Sequence, residues 1–351
     1  MEWKKALPFL AGLAVILALV WWAGTEEVLT ILSGASSTWL GAALLAYLGG
    51  VITWALRWHV LLEGVGVKAR FRDTLAALFV GILFNNITPG ARGGGEAIRA
   101  YYLAKRIEPS YGRILASITA DRILDLIPVM VMMLFSMFYA YWKGVYSLFT
   151  LLLLLNVIII SLTGLATVIM ASESRMRKIL FGLFRLLARV MPSRVLKYEE
   201  KFGQLVETNI PHFTNGLRTI SRDRKTFTVA LGYSFLTWFF VLLRSYFIFI
   251  SLSHRVSFTD VMVVQMIGTA VGLISIIPGG AGLIEAVTAG SFVLLGITRG
   301  MAVTASILDR IISFWLPLVA GIIFVAKFGL KPKTASLGGE DTSDKSRGKN
   351  G

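Results

Sequence analysis

Cysteine is absent from the 351 residues, which excludes a disulfide framework, thiolate metal sites and thiol chemistry. Charge is scarce too, at 16% of residues, where soluble domains are nearer a quarter. The three histidines, His59, His212 and His254, are scattered without metal-ligand spacing, so no metal site is expected. No Walker loop, dinucleotide fingerprint or nucleic-acid motif occurs. A Ser/His/Asp triad could be assembled only by free choice of residues. The sequence therefore predicts no catalytic residues, no cofactor and no nucleic-acid partner.

What is plentiful is apolar sequence: 56% of residues are hydrophobic and the mean hydropathy is +0.72. The apolar residues fall in blocks of bilayer length, roughly 20 residues each. Full spans are expected at 6–23, 39–62, 114–141, 145–171, 226–251 and 301–325. The first begins after Lys4-Lys5 but offers no small-x-small cleavage site near Trp21-Trp22-Ala23-Gly24-Thr25, so it reads as an uncleaved helix. Two further stretches, 74–88 and 259–277, run into Pro89-Gly90 and Pro278-Gly279. About 15 helical residues reach roughly 22 Å, short of the ~30 Å hydrocarbon core. Both are expected to dip into the membrane and return.

The net charge of +15 comes from basic residues that alternate with the spans, the pattern of cytoplasmic loops. With the amino terminus inside and both hairpins re-entrant, 28 Lys/Arg are cytoplasmic, 3 external and 4 within spans. Letting only the first hairpin cross would place the twelve Lys/Arg of 172–225 outside, against the positive-inside rule. Both termini are thus expected in the cytoplasm of a multi-pass cell-membrane protein. Within 172–225, residues 176–191 suit a helix at the membrane surface or a juxtamembrane linker. The stretch 334–351 is polar and rich in Gly and Ser, and disorder is expected there. The sequon Asn86-Ile87-Thr88 falls at membrane depth and is discounted.

An internal repeat organises the chain. The first copy reads Pro89-Gly90, Glu96-Ala97, then Ser117-Ile118-Thr119-Ala120-Asp121-Arg122-Ile123 and Pro128. The second reads Pro278-Gly279, Glu285-Ala286, then Ser306-Ile307-Leu308-Asp309-Arg310-Ile311 and Pro317. Upstream, Arg57 precedes Phe71 by fourteen residues, and Arg244 precedes Phe258 by fourteen. Two crossings separate the Arg57 span from the Arg244 span, so the copies are expected to be inverted. The predicted fold class is an all-α polytopic membrane protein with about six spans and two re-entrant broken hairpins in inverted repeats. Its segments are 1–38 (first helix and external loop), 39–141 (repeat 1), 142–171 (connecting helix), 172–225 (basic segment), 226–327 (repeat 2) and 328–351 (tail).

Charges inside a membrane are expensive and mark function or pairing. Arg57, Arg92, Arg99 and Arg244 are candidates to meet a phosphate or carboxylate, since a guanidinium fork matches both. Glu96, Glu285, Asp121 and Asp309, with Arg122 and Arg310, would shape or protonate the path. The alternative is that Asp121-Arg122 and Asp309-Arg310 form buried pairs that pin the repeats together. Adjacent helical residues point about 100° apart, so the Asp and Arg of each dipeptide should find different partners. The glycine run 89–96 and its counterpart 278–282 could cradle a phosphate or simply permit tight packing.

The stretches Pro89-Gly90 … Gly94-Gly95-Glu96-Ala97-Ile98-Arg99-Ala100-Tyr101-Tyr102-Leu103, Ala116-Ser117 … Asp121-Arg122 and Ile276-Ile277-Pro278-Gly279-Gly280-Ala281-Gly282 … Glu285-Ala286 resemble the membrane region of lysylphosphatidylglycerol synthases. That family includes stand-alone flippase-like members, and the resemblance spans about residues 5–328. It implies movement of a polar lipid between leaflets. It does not imply aminoacyl transfer, because a polar tail stands where the synthases carry their soluble domain. The expected function is a flippase or scramblase acting on membrane lipids, passive or ion-coupled. The alternative is a membrane scaffold whose partner is an enzyme of lipid or cell-envelope glycan synthesis. An intramembrane enzyme would have only the carboxylates to work with.

Overall fold

A computed structural model describes residues 3–88, 93–107, 110–275 and 277–328, and among them every regular element is helical. Pro89, Gly90, Arg92 and the tail beyond 328 lie outside the described residues. Five helices are long and apolar enough to cross a membrane: α3 (Ser37–Gly64), α6 (Tyr111–Trp142), α7 (Tyr146–Met170), α11 (Arg224–Ser251) and a compound helix, Arg299–Ala326. A bent pair raises the number to six. Helix α1 (Trp3–Ala23) stops at Gly24, whose φ of 89° only glycine adopts easily, and the chain turns by 91° into α2 (Thr25–Ser33). The first segment therefore differs from expectation: 25–33 is a helix, not a loop. Its acidic Glu27 approaches Gly300 at the start of the compound helix.

The two shorter apolar helices are α4 (Phe71–Ile87) and α12 (Phe258–Ile274), each 17 residues and each begun by a phenylalanine. At ~1.5 Å per residue they stop short of the far side of a bilayer. Each leads into a returning helix: α5 (Gly93–Ile107) after α4, α13 (Leu283–Leu294) after α12. The second break is described in full. Pro278–Gly280 form a tight turn, with positive φ at Gly279, Gly280 and Gly282. Gly12 of α1 packs directly against Ala281 and Gly282 at the hairpin tip, a small-on-small contact of the kind membrane helices use.

The compound helix comprises α14 (Arg299–Arg310), a π-helical stretch Ile311–Trp315 and α15 (Leu316–Phe328). Pro317 has no N–H to give and crowds the preceding turn, and the widened turn lies just before it. Pro128 of α6 sits inside continuous α-helix instead.

Helices α3 and α11, 28 residues each, pack antiparallel along their whole length. The Ser36 amide donates to the Ser251 carbonyl at one end (2.7 Å), Thr53 and Thr237 hydroxyls meet in the middle (2.9 Å), and Gly64 faces Thr226 at the other. Gly49 and Gly50 admit Phe240 at the crossing. Each hairpin then packs on the far half. Phe79 of α4 stacks on Phe324 of α15 at 4.7 Å, while Val263, Met266, Ile267 and Ala270 of α12 share a buried cluster with Val129 and Met133 of α6.

The basic segment forms α8 (Glu173–Val190), a four-residue α9 (Pro192–Val195) and α10 (Glu199–Arg222). Helix α10 packs on α6, with Asn209 accepting the Gly112 amide at 2.9 Å. Helix α8 buries no residue; Leu183, Leu186 and Leu187 stay exposed beside its basic residues. Asp223 caps α11. Hydrogen bonds from the Thr226 hydroxyl and amide and the Lys225 amide hold its carboxyl below the usual range.

Among the described glycines the closest approach lies within the first hairpin, where a Cβ on Gly95 would collide with the Gly81 carbonyl and the Asn85 side chain. Gly95→Ala should destabilise the solubilised protein by about 1–3 kcal/mol. Gly232→Ala, where nothing lies within 4 Å, should not. Thermal unfolding of both variants in one detergent measures the difference.

Candidate functional site

Two Asp-Arg dipeptides, two span arginines and two hairpin glutamates converge near the α3–α11 crossing. On α6, Asp121 and Arg122 point to different neighbours because adjacent residues diverge around the helix. Asp121, fully buried, accepts from Arg57 Nε at 2.6 Å, from Arg99 Nη2 at 3.0 Å and from Trp54 Nε1 at 3.0 Å. Arg122 turns the other way and donates to Glu96 Oε1 through Nε at 2.8 Å and through Nη2. The second copy repeats the division. Asp309 accepts from Arg244 through both carboxylate oxygens, at 3.0 and 2.9 Å. Arg310 donates to Glu285 Oε1 at 2.9 Å and to the Gly279 carbonyl at 2.8 Å. In each half the span arginine takes the Asp, and the helix arginine takes the hairpin Glu.

The halves differ in detail. The first holds an extra pair of charges: Arg99 and Asp125. Arg57 reaches Asp125 Oδ1 at 2.6 Å, and the Trp238 indole donates to the same oxygen at 3.2 Å. Arg99 lies 4.6 Å from the ring centre of Trp58. Its Nε comes within 2.6 Å of Glu96 Oε2 as a charge contact, without the alignment of a hydrogen bond. Thr288 occupies the place of Arg99 in the second half, against Gly268 as Arg99 is against Gly81, and bonds Ser306 at 3.1 Å. Charges balance in both clusters. Arg57, Arg99 and Arg122 face Glu96, Asp121 and Asp125; Arg244 and Arg310 face Asp309 and Glu285.

Between the clusters lies a cavity of about 230 Å³ walled by α3 and α11 and reached by both hairpins. Its charged lining is Arg122, Arg244, Asp309 and Arg310; Asn85 and Gln265 add amides, and Tyr47, Trp54, Trp238 and Phe249 add rings. Arg57, Arg99, Asp121, Glu96 and Glu285 are not on its wall. The geometry thus divides the expected residues. Arg57, Arg99 and Asp121 are sealed in pairs, whereas Arg122 and Glu96 keep 27% and 17% side-chain exposure. Glu285 is 1% exposed and its Oε2 has no hydrogen-bond partner among the described residues. Pro278 and Gly279 shape the second break, with Gly279 pressed on Phe314. Among the described residues no cluster of His, Cys, Asp or Glu could hold a metal ion.

Trp54, Asn85 and Gln265 were not singled out from sequence. Asn85 donates to Glu96 at 3.3 Å and accepts the Gly95 amide at 2.9 Å, and Gln265 donates to Ser245 at 2.6 Å. The available signal was spacing: Trp54 and Arg57 share a face at i,i+3, as Asp121 and Asp125 do at i,i+4.

The isolated Arg244–Asp309 pair makes a clean test. Arg244→Met leaves a carboxylate without its charge partner and should cost about 3–5 kcal/mol. The double variant Arg244→Met/Asp309→Leu should regain most of that. Paired thermal melts of the purified variants read the coupling.

Comparison with known proteins places this architecture. Residues 9–321 match the family described as the lysylphosphatidylglycerol synthase transmembrane region. A UPF0104 membrane protein of Pyrococcus horikoshii is 34% identical over 92% of this chain and 97% of its own. A UPF0104 membrane protein of Methanocaldococcus jannaschii is 26% identical over 91% of this chain and 94% of its own. A multi-pass helical bundle, repeated Arg–Asp and Arg–Glu pairs and a match over nearly the whole chain agree: the protein belongs to the lysylphosphatidylglycerol synthase transmembrane-region family.

Proposed function

We propose that this protein moves a polar membrane lipid between leaflets, with its head group passing through the cavity between the two ion-pair clusters and no chemical step performed. The observation that carries the reading is the cavity itself. Its wall combines guanidinium groups from both halves with amides and aromatic rings, at the level where the two broken hairpins approach each other. Broken helices meeting between repeats are how transporters place polar backbone at membrane depth. The family description also names a synthase of lysylphosphatidylglycerol, a polar lipid.

Within this reading the halves are inverted repeats. Support comes from the antiparallel packing of α3 on α11, which makes the equivalent Arg57 and Arg244 approach from opposite directions. The ends bearing 172–225 face the cytoplasm, following the basic residues. Arg122, Arg244 and Arg310 are the wall groups that meet phosphate; Glu96 and Asp309 exchange places with it. Such exchange keeps each guanidinium paired throughout, so no bare charge is left in the membrane.

The topology is testable directly because the chain has no cysteine to remove. In intact cells, an impermeant thiol reagent should label Arg255→Cys and leave Lys201→Cys unlabelled until the membrane is opened. Labelling of both from outside would refute the orientation. For transport, sealed proteoliposomes carrying a fluorescent lipid are quenched from outside. Ser313→Trp, which fills the cavity without touching an ion pair, and Arg122→Gln should each slow head-group movement by roughly tenfold or more. Equal rates for wild type, variants and empty vesicles would eliminate lipid movement.

A further inference from the structure

A second cleft lies on the other side of α6 from the central cavity. It encloses about 380 Å³ between α6, α7 and α10, with Phe227 of α11 closing one end. Arg122 faces the central cavity, while Ile123 and Leu124 of the same helix line this one. The wall is mostly apolar, formed by Ala120, Ile123 and Leu124 of α6, Met170 and Ala171 at the end of α7, and Leu217 and Ile220 of α10.

Its polar side chains are four. Three are already satisfied within the protein: Thr167 donates to the Thr163 carbonyl at 2.8 Å, Thr214 to Glu173 at 2.8 Å, and Ser221 to the Arg218 carbonyl at 2.9 Å. The fourth is Arg218, whose exposed guanidinium has no ion pair or hydrogen bond among the described residues. It heads a basic run with Arg222, Arg224 and Lys225, whose one acid, Asp223, is engaged in capping α11. An apolar cleft between membrane helices, rimmed by one uncommitted arginine, is complementary to a molecule with an apolar chain and an anionic head.

We infer that this cleft binds one anionic membrane lipid, its chain between α6, α7 and α10 and its phosphate on Arg218. The occupant is a resident lipid and not the transported one, because α6 separates the cleft from the central cavity. It fills the gap where α10 bridges the ends of the spans. Next to it, α8 exposes leucines flanked by basic residues, a composition that suits the surface of an anionic leaflet.

The experiment uses the full chain, purified in detergent and equilibrated with phosphatidylglycerol or phosphatidylcholine of the same chain length. Native mass spectrometry counts the lipids retained. Wild type should keep one phosphatidylglycerol, with a preference over phosphatidylcholine of roughly fivefold, the scale expected of one arginine near an anionic lipid. Arg218→Gln should remove the preference and leave the lipid-free melting temperature unchanged. Leu217→Trp, which fills the cleft, should reduce retention of both lipids. Equal retention of the two lipids by wild type, or an undiminished preference in Arg218→Gln, would overturn the inference. The result is independent of transport, since neither variant touches the central cavity.

Discussion

A guanidinium held inside a bilayer has to find a carboxylate, and that requirement arranges the centre of this protein. Removing an arginine or an aspartate from water costs several kcal/mol unless the partner arrives with good geometry. Here each partner arrives from a different helix. Arg57 on α3 needs α6, Arg122 on α6 needs α5, and the second half repeats the scheme with α11, α14 and α13. The pairs therefore do more than neutralise charge. They dictate which face of each helix turns inward, and so hold the hairpins at the depth where the cavity opens.

The helix crossing supplies the frame on which those pairs hang. Glycines at 49 and 50 allow α3 to approach α11 closely, and Thr53 and Thr237 join the two through a buried hydrogen bond. Around that axis the packing is exchanged: the hairpin of one half lies on the spanning helix of the other. Each cluster is neutral as a whole, yet the cavity wall carries Arg122, Arg244 and Arg310 against Asp309 alone, so the guanidinium ends face inward and Glu96 and Glu285 stand behind them.

Much of this was legible in the residues. Blocks of apolar sequence locate the spans, and the Pro278-Gly279 dipeptide after the 17-residue α12 locates the second break, because chain length against bilayer thickness is simple arithmetic. The 100° divergence of Asp121 and Arg122 correctly implies two sets of partners. What could not be read is which acid meets which base. Arg57 and Arg99 were candidates to meet a head group, yet both are sealed against Asp121, because which face turns inward depends on tertiary packing: Arg99 lies against Gly81, and Arg57 reaches Asp125 and Ser234 as well. The bend at Gly24 was also missed. The apolar run ends near there, and a lone glycine does not announce a 91° turn. Trp54 and Gln265 escaped for a similar reason, since an indole or amide in an apolar helix carries no local sign of its partner.

The two halves share a proline in their last span but accommodate it differently. Pro128 is absorbed into continuous α-helix, while Pro317 follows a π-helical stretch that begins right after Arg310. A π turn closes over one residue more than an α turn and is rare inside α-helices. The two matching spans are therefore built differently from their Asp-Arg dipeptides onward. Helix α6 stays regular through its proline, whereas the span through α14 and α15 widens directly beside the Arg310–Glu285 pair. Pro317 stands seven residues after Arg310 and Pro128 six after Arg122, so the wider turn takes up the one residue by which the copies differ.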